Sequence, residues 1–284
     1  LTNILNFPVD PTDYLSLDSC CYNCDALTDS KIPLSLPTRI NNTSNMFAYC
    51  DGLKNVEIEI PSNGFSAYGM FRGCNNLTSA TVRMTGAYCS DMRYIFDNCK
   101  YLTNVYLKFP SKLNYDEIYQ TGMSYHNMFS YCSRLTDVEL DMTSLKDSGT
   151  YADFGYMFRQ SKSIQNVSGL DLTYVRKTPK GQYLNGYSNW DAHSFYLSAD
   201  STFENIESWE FIGALARSYD FPNIRNMDTI KSILRSLDTV VLETLGLAVN
   251  VIDLTDETMV DDVDTELQQL VIQAKNKGWT FKVV

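Results

Sequence analysis

The sequence is poor in histidine: its 284 residues include only two, His126 and His193. A catalytic base normally works beside a nucleophile and an orienting partner. Neither histidine stands in a nucleophile-elbow, zinc-protease or phosphate-binding motif, and the sequence contains no such motif elsewhere. We therefore predict that the protein is not an enzyme and that it holds no metal ion and no cofactor.

Basic residues are scarce as well, since 23 Lys and Arg face 34 Asp and Glu, a net charge of −11. Nucleic acids and anionic membranes attract clustered Lys and Arg, so neither is expected as a partner. No apolar run approaches the about 20 residues that cross a bilayer, and we expect no transmembrane segment. The chain also lacks a signal segment at Leu1. Because a mature chain starting at Leu is unusual, we expect a leader or an upstream domain before it.

The sequence does contain one motif that repeats five times. It consists of an aromatic residue, a cysteine or its substitute, an aliphatic residue and a small apolar residue, each three positions after the one before. The copies begin at Phe47, Phe71, Phe96, Phe129 and Phe158, in steps of 24, 25, 33 and 29 residues. A fainter copy precedes them at Cys21, and another is expected at Phe203, Ile206 and Trp209. A period near 25 residues is typical of solenoids, and the longer steps hold insertions.

Each copy ends in a stretch that alternates apolar and polar residues, as at 56–60, 105–109 and 138–142. This period of two predicts a short, half-buried strand. The Met-Phe-x-x-Cys segment upstream is expected to form a short helix or a turn on the opposite wall. Stacked coils bury a continuous core that no single coil can form, so we predict a solenoid of roughly six to seven coils.

Most of the eight cysteines follow the repeat. Those that share one phase are Cys24, Cys50, Cys74, Cys99 and Cys132. One ligand per coil does not make a metal site, so we predict a ladder of buried thiols. Cys21 and Cys24 form a C-x-x-C pair, but no thioredoxin-like context surrounds it, which favours a structural role. Cys20 and Cys89 are off phase and are expected to be exposed or paired, although the sequence assigns no bridge.

The Met-Phe-x-x-Cys-x-x-Leu-x-x-Val motif resembles the BspA-like leucine-rich repeats of bacterial surface proteins, over about residues 20–284. It is also close to a variant in bacterial lipoproteins and in tail proteins of some gut phages. The resemblance implies an α/β fold: a leucine-rich-repeat solenoid with short parallel strands on one face, irregular insertions and a helical C-terminal cap.

We divide the chain into the solenoid, residues 1–226, with an N-terminal capping region of about 1–20, and a C-terminal capping coil of the same domain, residues 227–284. Apolar stripes predict helices at 230–237 and 263–274, and strands are expected at 242–249 and 279–284. The segment 253–266 carries seven acids and no base. We interpret them as acids gathered at a helix start, with a calcium site as the alternative.

The polar positions of the predicted strands form a band of mixed charge on the outer face. They are Glu57, Glu59, Thr81, Arg83, Tyr106, Lys108, Glu139 and Asp141. A concave solenoid sheet is a common binding surface, and the alternative is an ordinary solvated face. The 19 tyrosines suit recognition, but they also suit strands and turns.

A rival site is the largest insertion, about residues 174–199, which crowds aromatic residues into a short segment. These are Tyr183, Tyr187, Trp190, Phe195 and Tyr196. Exposed, they would stack on sugar rings or dock a protein; folded back, they would fix the insertion to the solenoid wall. Because so many exposed rings would be adhesive, we favour the second alternative.

The resemblance implies a non-catalytic recognition or adhesion module of a bacterial cell-surface or secreted protein. Its ligand would be a protein or a carbohydrate, bound through the strand face or the aromatic insertion, and its location would be extracellular. The alternative is a structural part or spacer, either a stalk domain or a phage tail or baseplate protein of the virion. The sequence identifies neither the ligand nor the oligomeric state.

Overall fold

The computed structural model of the chain describes residues 13–29, 35–63, 65–113, 123–124, 126–145, 152–153, 157–171, 208–212, 218–221, 231, 234–235, 251–254, 265–277 and 280–283. Every structural statement below concerns these residues. They include all the Phe positions of the five clear repeats and all eight cysteines.

Parallel strands dominate the described residues. They are β1 Leu15–Ser16, β2 Ile40–Asn42, β3 Asn55–Ile60, β4 Phe65–Ser66, β5 Ser79–Met84, β6 Tyr88–Asp91, β7 Asn104–Lys108, β8 Lys112–Leu113, β9 Met123–Ser124, β10 Asp137–Asp141, β11 Ala152–Asp153, β12 Asn166–Asp171, β13 Ser208–Ile212, β14 Ser218–Phe221, β15 Val251–Leu254 and β16 Thr280–Val283. A short 3₁₀ helix covers Thr143–Leu145, and the α-helix α1 covers Thr265–Asn276. Residues 231 and 234–235, inside the helix predicted at 230–237, are also helical.

The main wall is a six-stranded sheet in the order β13-β12-β10-β7-β5-β3. Strands from successive repeats pair in parallel, and the small apolar position of one repeat faces that of the next: Val56 pairs with Ala80, and Val105 with Val138. The strands predicted at the repeat ends are confirmed. The result is a parallel solenoid of about five turns.

A second sheet was not expected. Strands β1, β2, β4, β6 and β8 form another parallel sheet, so strands occupy two faces of the coil rather than one. Most of these strands are only two or three residues long. Strands this short contain too few residues to show an alternation of apolar and polar side chains, so the sequence gives no sign of them.

The Met-Phe-x-x-Cys segments form turns rather than helices, and together they make a third wall, the turn wall. In the turns described on both sides of the Phe position, the residues two before and two after it have a positive φ, and in the turn at Phe158 the described one of these, Gln160, has it as well. Around Phe96 they are Tyr94 at 60° and Asn98 at 62°. Side chains cost about 1–2 kcal/mol in this left-handed conformation, which asparagine and glycine adopt most readily. Two such residues per turn prevent a helix.

The core is a stack of equivalent side chains. The rings of Phe47, Phe71, Phe96, Phe129 and Phe158 lie 5.4–5.7 Å apart between centroids and within 14° of parallel. All of them are at most 1% exposed. Burying one such ring contributes about 1.5–3 kcal/mol, so this stack is a main source of stability.

The cysteine ladder lies beside the phenylalanine stack. Four of the five in-phase thiols donate to a backbone carbonyl of the preceding coil: Cys50 to Cys21, Cys74 to Phe47 and Cys99 to Phe71, all at 3.0 Å, and Cys132 to Phe96 at 3.1 Å. The fifth, Cys24, donates to Tyr22 in its own coil at 3.8 Å. Cys50, Cys74, Cys99 and Cys132 are fully buried, as predicted, whereas Cys24 is only half-buried.

The expectation for Cys89 was wrong. All eight cysteines are free; Cys20 is exposed as expected, but Cys89 is 0% exposed and unpaired. Cys89 lies on β6, whose residues pair with Phe65 and Leu113 in the second sheet. It points into the core from a wall that the repeat phase does not reveal.

The phase expected for the copy after Phe158 was also wrong. Trp209, not Ile212, pairs with Val167 and so takes the small apolar position. The sheet therefore continues to β13, but with its sequence displaced by three residues relative to the expected copy.

The C-terminal region is less helical than the expected cap. Strands β14, β15 and β16 form a parallel three-stranded sheet, which includes the predicted final strand. Helix α1 buries Leu267, Leu270 and Ala274, as its apolar stripe predicts. The described chain is thus mostly strand rather than α/β, and the strand expected at 242–249 lies outside the described residues. No helix in the part of the chain that the structure describes is long and apolar enough to cross a membrane.

Candidate functional site

The predicted strand-face residues lie side by side in two rows on the six-stranded sheet. The first row contains Glu57, Thr81, Tyr106 and Glu139, and the second contains Glu59, Arg83, Lys108 and Asp141. None of them is buried, because the alternating strand pattern turns every second side chain outward. We call this surface the strand face.

The two rows are joined by diagonal contacts between strands. Arg83 Nη1 lies 2.7 Å from Glu57 Oε1, and its guanidinium lies 5.6 Å from the ring centroid of Tyr106. The Tyr106 hydroxyl donates to Asp141 Oδ2 at 3.3 Å, and Lys108 Nζ is 3.2 Å from the same oxygen. These contacts hold the side chains in one arrangement, although exposed ion pairs each contribute only about 0–1 kcal/mol.

The electrostatics of this network keep its donors and acceptors distinct. Burial works against the Asp141 carboxylate, but hydrogen bonds from Thr143 and Lys108 outweigh it and hold the pKa of Asp141 below its usual value. Burial and the neighbouring Asp141 charge raise the pKa of Tyr106. At neutral pH Tyr106 therefore remains a donor and Asp141 an acceptor.

The rival site, the aromatic insertion with Tyr183, Tyr187 and Trp190, lies outside the described residues.

The turn wall carries a second group of outward side chains that the sequence analysis missed. It combines tyrosines and a histidine with arginines: Tyr22, Tyr49, Tyr68, Arg72, Arg93, Tyr94, His126, Tyr131 and Arg159. We call this group the tyrosine–arginine strip. All of its members lie within three residues of a Phe position or of Cys21, but at different positions within that segment.

Rings of the strip contact one another from coil to coil. Tyr22 meets Tyr49 edge-on at 5.4 Å between centroids, Tyr68 meets Tyr94 at 5.5 Å, and Tyr94 meets His126 at 5.6 Å. Such edge-to-face pairs each add about 0.5–1.5 kcal/mol beyond area burial.

Arginines of the strip lie over its rings. Arg93 is 5.3 Å from the centroid of Tyr68, Arg72 is 5.5 Å from that of Tyr94, and Arg159 is 5.8 Å from that of Tyr131. These distances are those of cation–π contacts.

Two aspartates anchor these arginines. Asp97 Oδ2 lies 3.0 Å from Arg72 Nε, and Asp91 Oδ2 lies 2.6 Å from Arg93 Nη2. Asp97 is buried, and this burial raises its pKa, while Arg72 and Arg159 act in the opposite direction.

A family profile described as BspA type leucine rich repeat region matches residues 17–171 in six copies. The chain belongs to the BspA-type leucine-rich-repeat family. Comparisons with curated proteins and with solved structures gave no match. The six copies agree with the five clear repeats and the fainter one at Cys21, while residues beyond 171, which the resemblance was expected to include, lie outside the match.

The BspA-type core offers little thiol chemistry, because burial suppresses the thiolate. Burial raises the pKa of Cys50 to about 11 and that of Cys89 to about 12, and it raises the pKa of Cys74, Cys99 and Cys132 as well. Cys20 is the exception: a hydrogen bond with Cys21, whose sulfur lies 3.8 Å away, lowers its pKa. Across the described ranges, no three His, Cys, Asp or Glu side chains are grouped as metal ligands would be.

Proposed function

We propose that this BspA-type solenoid is a non-catalytic recognition or adhesion module of a bacterial cell-surface or secreted protein. It binds a protein or a carbohydrate through the strand face. The observation that carries the proposal is the two-row network on the six-stranded sheet, in which Arg83, Tyr106 and Asp141 are fixed by one another. Side chains held in this way lose little conformational entropy when a ligand binds.

The strand face has the chemistry of a polar recognition surface. Tyr106 offers a ring and a hydroxyl donor, Arg83 and Lys108 offer cations, and Glu139 offers an exposed carboxylate. The four carboxylates, on Glu57, Glu59, Glu139 and Asp141, outnumber the two cations on the face. The face therefore favours a ligand that presents donors or positive charge.

Protein and glycan arrays probed with the purified chain test the proposal. We expect reproducible hits that weaken when Tyr106→Ala removes the central ring of the strand face. Tyr101→Ala is the matched control, because Tyr101 is 44% exposed and lies outside the strand face and the tyrosine–arginine strip. Hits that are insensitive to Tyr106→Ala, or a complete lack of hits, would contradict the proposal.

A second candidate function is structural, as a spacer, a stalk domain or a phage tail or baseplate part. It is favoured by the unbroken stack of Phe47, Phe71, Phe96, Phe129 and Phe158, which makes the solenoid a continuous packed rod. Surface biotinylation of producing cells and mass spectrometry of purified virions separate the two functions. Recovery only in virions would favour the structural role.

A further inference from the structure

We propose that two copies of this chain associate side by side, in opposite directions, along the corner where each coil passes from the turn wall into the six-stranded sheet. We call this corner the ridge. It consists of the five residues after the in-phase cysteine or serine of coils 1 to 6, which are residues 25–29, 51–55, 75–79, 100–104, 133–137 and 162–166. The proposal goes beyond the recognition function, because the partner is a second copy of the chain and no strand-face side chain takes part.

Hydrogen bonds from coil to coil hold the ridge in register. Thr78 Oγ1 donates to the Lys54 carbonyl at 2.9 Å, Thr103 Oγ1 to the Thr78 carbonyl at 2.9 Å, and Thr136 Oγ1 to the Thr103 carbonyl at 3.1 Å. The ridge is therefore one continuous surface rather than a series of separate turns. A surface fixed in this way loses little conformational entropy on association.

The ridge is acidic in its first half and basic in its second half. Coils 1 to 3 present three acids and one base, which are Asp25, Asp29, Asp51 and Lys54. Coils 4 to 6 present three bases and one acid, which are Lys100, Arg134, Lys162 and Asp137. Successive coils lie about 4.8 Å apart, so the centres of the two halves are separated by about 14 Å. This exceeds the screening length of about 8 Å at physiological salt, so each half meets a partner with its own sign.

The charges that flank the ridge reverse neither half. Among the described residues, Arg72 and Glu57 flank the first half and cancel. The second half is flanked by Asp97 and Glu139, which oppose Arg159 and reduce its surplus by one charge. The first half therefore remains negative and the second half positive.

The fold uses acids of the ridge but has no use for its lysines. At the first ridge position, Asp51 Oδ1 accepts the backbone N–H of Asn75 in the next coil at 2.9 Å. Lys100 and Lys162 occupy the same position in later coils, where an ammonium group cannot accept such a bond. Both lysines are exposed, and among the described residues neither forms an ion pair. Stability therefore does not explain why the position changes from acid to base along the stack.

The single acid of the basic half is less available than the bases around it. Asp137 accepts hydrogen bonds from Asn104 Nδ2 at 3.2 Å, Asn166 Nδ2 at 2.7 Å and Thr136 Oγ1 at 2.6 Å. Arg134 is exposed, and its guanidinium lies over a tyrosine ring rather than beside a carboxylate. A partner that approaches this half therefore meets its cations first.

A second copy in the opposite direction matches this pattern. A two-fold axis between coils 3 and 4 sets coil 1 against coil 6 and coil 2 against coil 5, so that Asp25 faces Lys162 and Asp51 faces Arg134. The symmetry makes each contact twice. A uniformly acidic or basic partner would be repelled by one half of the ridge, and two copies in the same direction would place like charges opposite each other.

Analytical ultracentrifugation of the full chain tests the proposal. The ridge is too narrow to bury the about 800 Å² per partner of a stable complex, so we expect a dimer with a Kd of order 100 µM. At about 0.15 M salt the distant charges of the two acidic chains are screened, whereas facing charges still attract. The dimer should weaken at about 1 M salt, where the screening length falls to about 3 Å.

A charge exchange identifies the contact. Lys162→Glu and Asp25→Lys should each raise the Kd about tenfold or more, because each places like charges opposite each other twice. An equal mixture of the two variants should dimerise as well as the parent, since every Asp or Glu then faces a Lys. Arg134→Glu, opposite Asp51, is a second reversal and should also weaken the dimer.

Lys275→Glu is the matched control. Lys275 is exposed on α1, outside the ridge, and its substitution changes the net charge by the same amount as Lys162→Glu. It should leave the Kd unchanged, and the melting temperatures of all these surface variants should stay within about 2 °C of the parent.

Four results would overturn the proposal. They are a monomer at every concentration up to about 0.5 mM, equal association of the Lys162→Glu and Lys275→Glu variants, a mixture that fails to restore the dimer, and assemblies that grow beyond two copies. The last result would indicate a head-to-tail contact between coil ends instead of a closed two-fold contact.

Discussion

Ser161 Oγ donates to the carbonyl oxygen of Phe129 at 2.5 Å, and so makes the bond that a cysteine makes in the coils before it. Its oxygen also accepts the backbone N–H of Cys132 at 3.0 Å. The position thus requires a small buried donor to the preceding coil rather than sulfur itself. Cysteine meets this need as a weak donor of apolar character, and serine meets it as a stronger one.

The stability of variants at Cys99 should therefore depend on whether the new side chain is a small buried donor, and not on the presence of sulfur. Cys99→Asp places a carboxylate in the stacked core and is expected to destabilise the protein by more than about 4 kcal/mol. Glu57→Ala, on the exposed strand face, should cost less than about 1 kcal/mol. Thermal unfolding of both variants measures the difference, with Cys99→Ser as a milder control. Similar melting temperatures for Cys99→Asp and Glu57→Ala would reverse our assignment of inside and outside.

The thiols should differ sharply in reactivity. Because the thiolate is the nucleophile, Cys20, exposed and with a lowered pKa, should be alkylated first by iodoacetamide in the native protein. Cys89 and the buried ladder should react only after unfolding, since they are 0% exposed and their pKa values are raised. Peptide mass spectrometry after timed quenching gives the order. Early labelling of Cys89 would contradict its burial on β6.

The phenylalanine stack should be the most sensitive part of the core. Phe96→Ala removes a ring held between Phe71 and Phe129 and should destabilise by about 3–5 kcal/mol, because the stacked coils cannot close the cavity. Urea unfolding measures this loss, and Tyr101→Ala serves as the exposed aromatic control. A cost at position 96 no larger than that at Tyr101 would mean that the coils repack freely.

The Lys108–Asp141 pair should stabilise the fold only above acidic pH. The folded pKa of Asp141 is lowered, so its contribution is present above the ordinary Asp pKa of about 3.9 and is lost as pH falls through the folded value. We expect Asp141→Asn to cost less than about 1 kcal/mol at pH 7, because the pair is partly exposed. Urea unfolding should show a smaller cost of Asp141→Asn at a pH well below the pKa that Asp141 has in the unfolded chain.

The pKa of Asp97 is shifted in the opposite direction to that of Asp141, so the two residues change stability with pH in opposite directions. Its folded pKa is raised, so its contribution is largest at low pH and declines as pH rises through the folded value. NMR titration of the two carboxyl groups distinguishes them. Lys108→Gln should raise the pKa of Asp141 and leave that of Asp97 unchanged, and a shift at both would contradict the independence of the two walls.

The sequence was most informative where one physical signal acts alone. Alternation in 56–60 and 138–142 predicted β3 and β10 because a half-buried strand requires it, and the repeat phase predicted the ladder because stacked coils superimpose equal positions. The same phase identified Glu57, Arg83 and Tyr106 as neighbours on one face.

Other features failed for specific reasons. Strand β4 is two residues long, too short for a period, so the second sheet and the burial of Cys89 were missed. The turn at Tyr94 depends on a positive φ, which a tyrosine in the sequence does not predict. The strip stayed hidden because its rings come from different positions in different repeats and meet only when the coils stack.

The register that pairs Val56 with Ala80, and Ala80 with Val105, has a consequence for how such a protein changes over time. Every coil presents nearly the same upper and lower interface, so a duplication or deletion of one whole coil leaves the neighbouring interfaces intact. Evolution can therefore lengthen or shorten the molecule in units of one repeat. Each sheet then gains or loses one strand and the turn wall gains or loses one turn, while the side chains that face outward remain free to diversify.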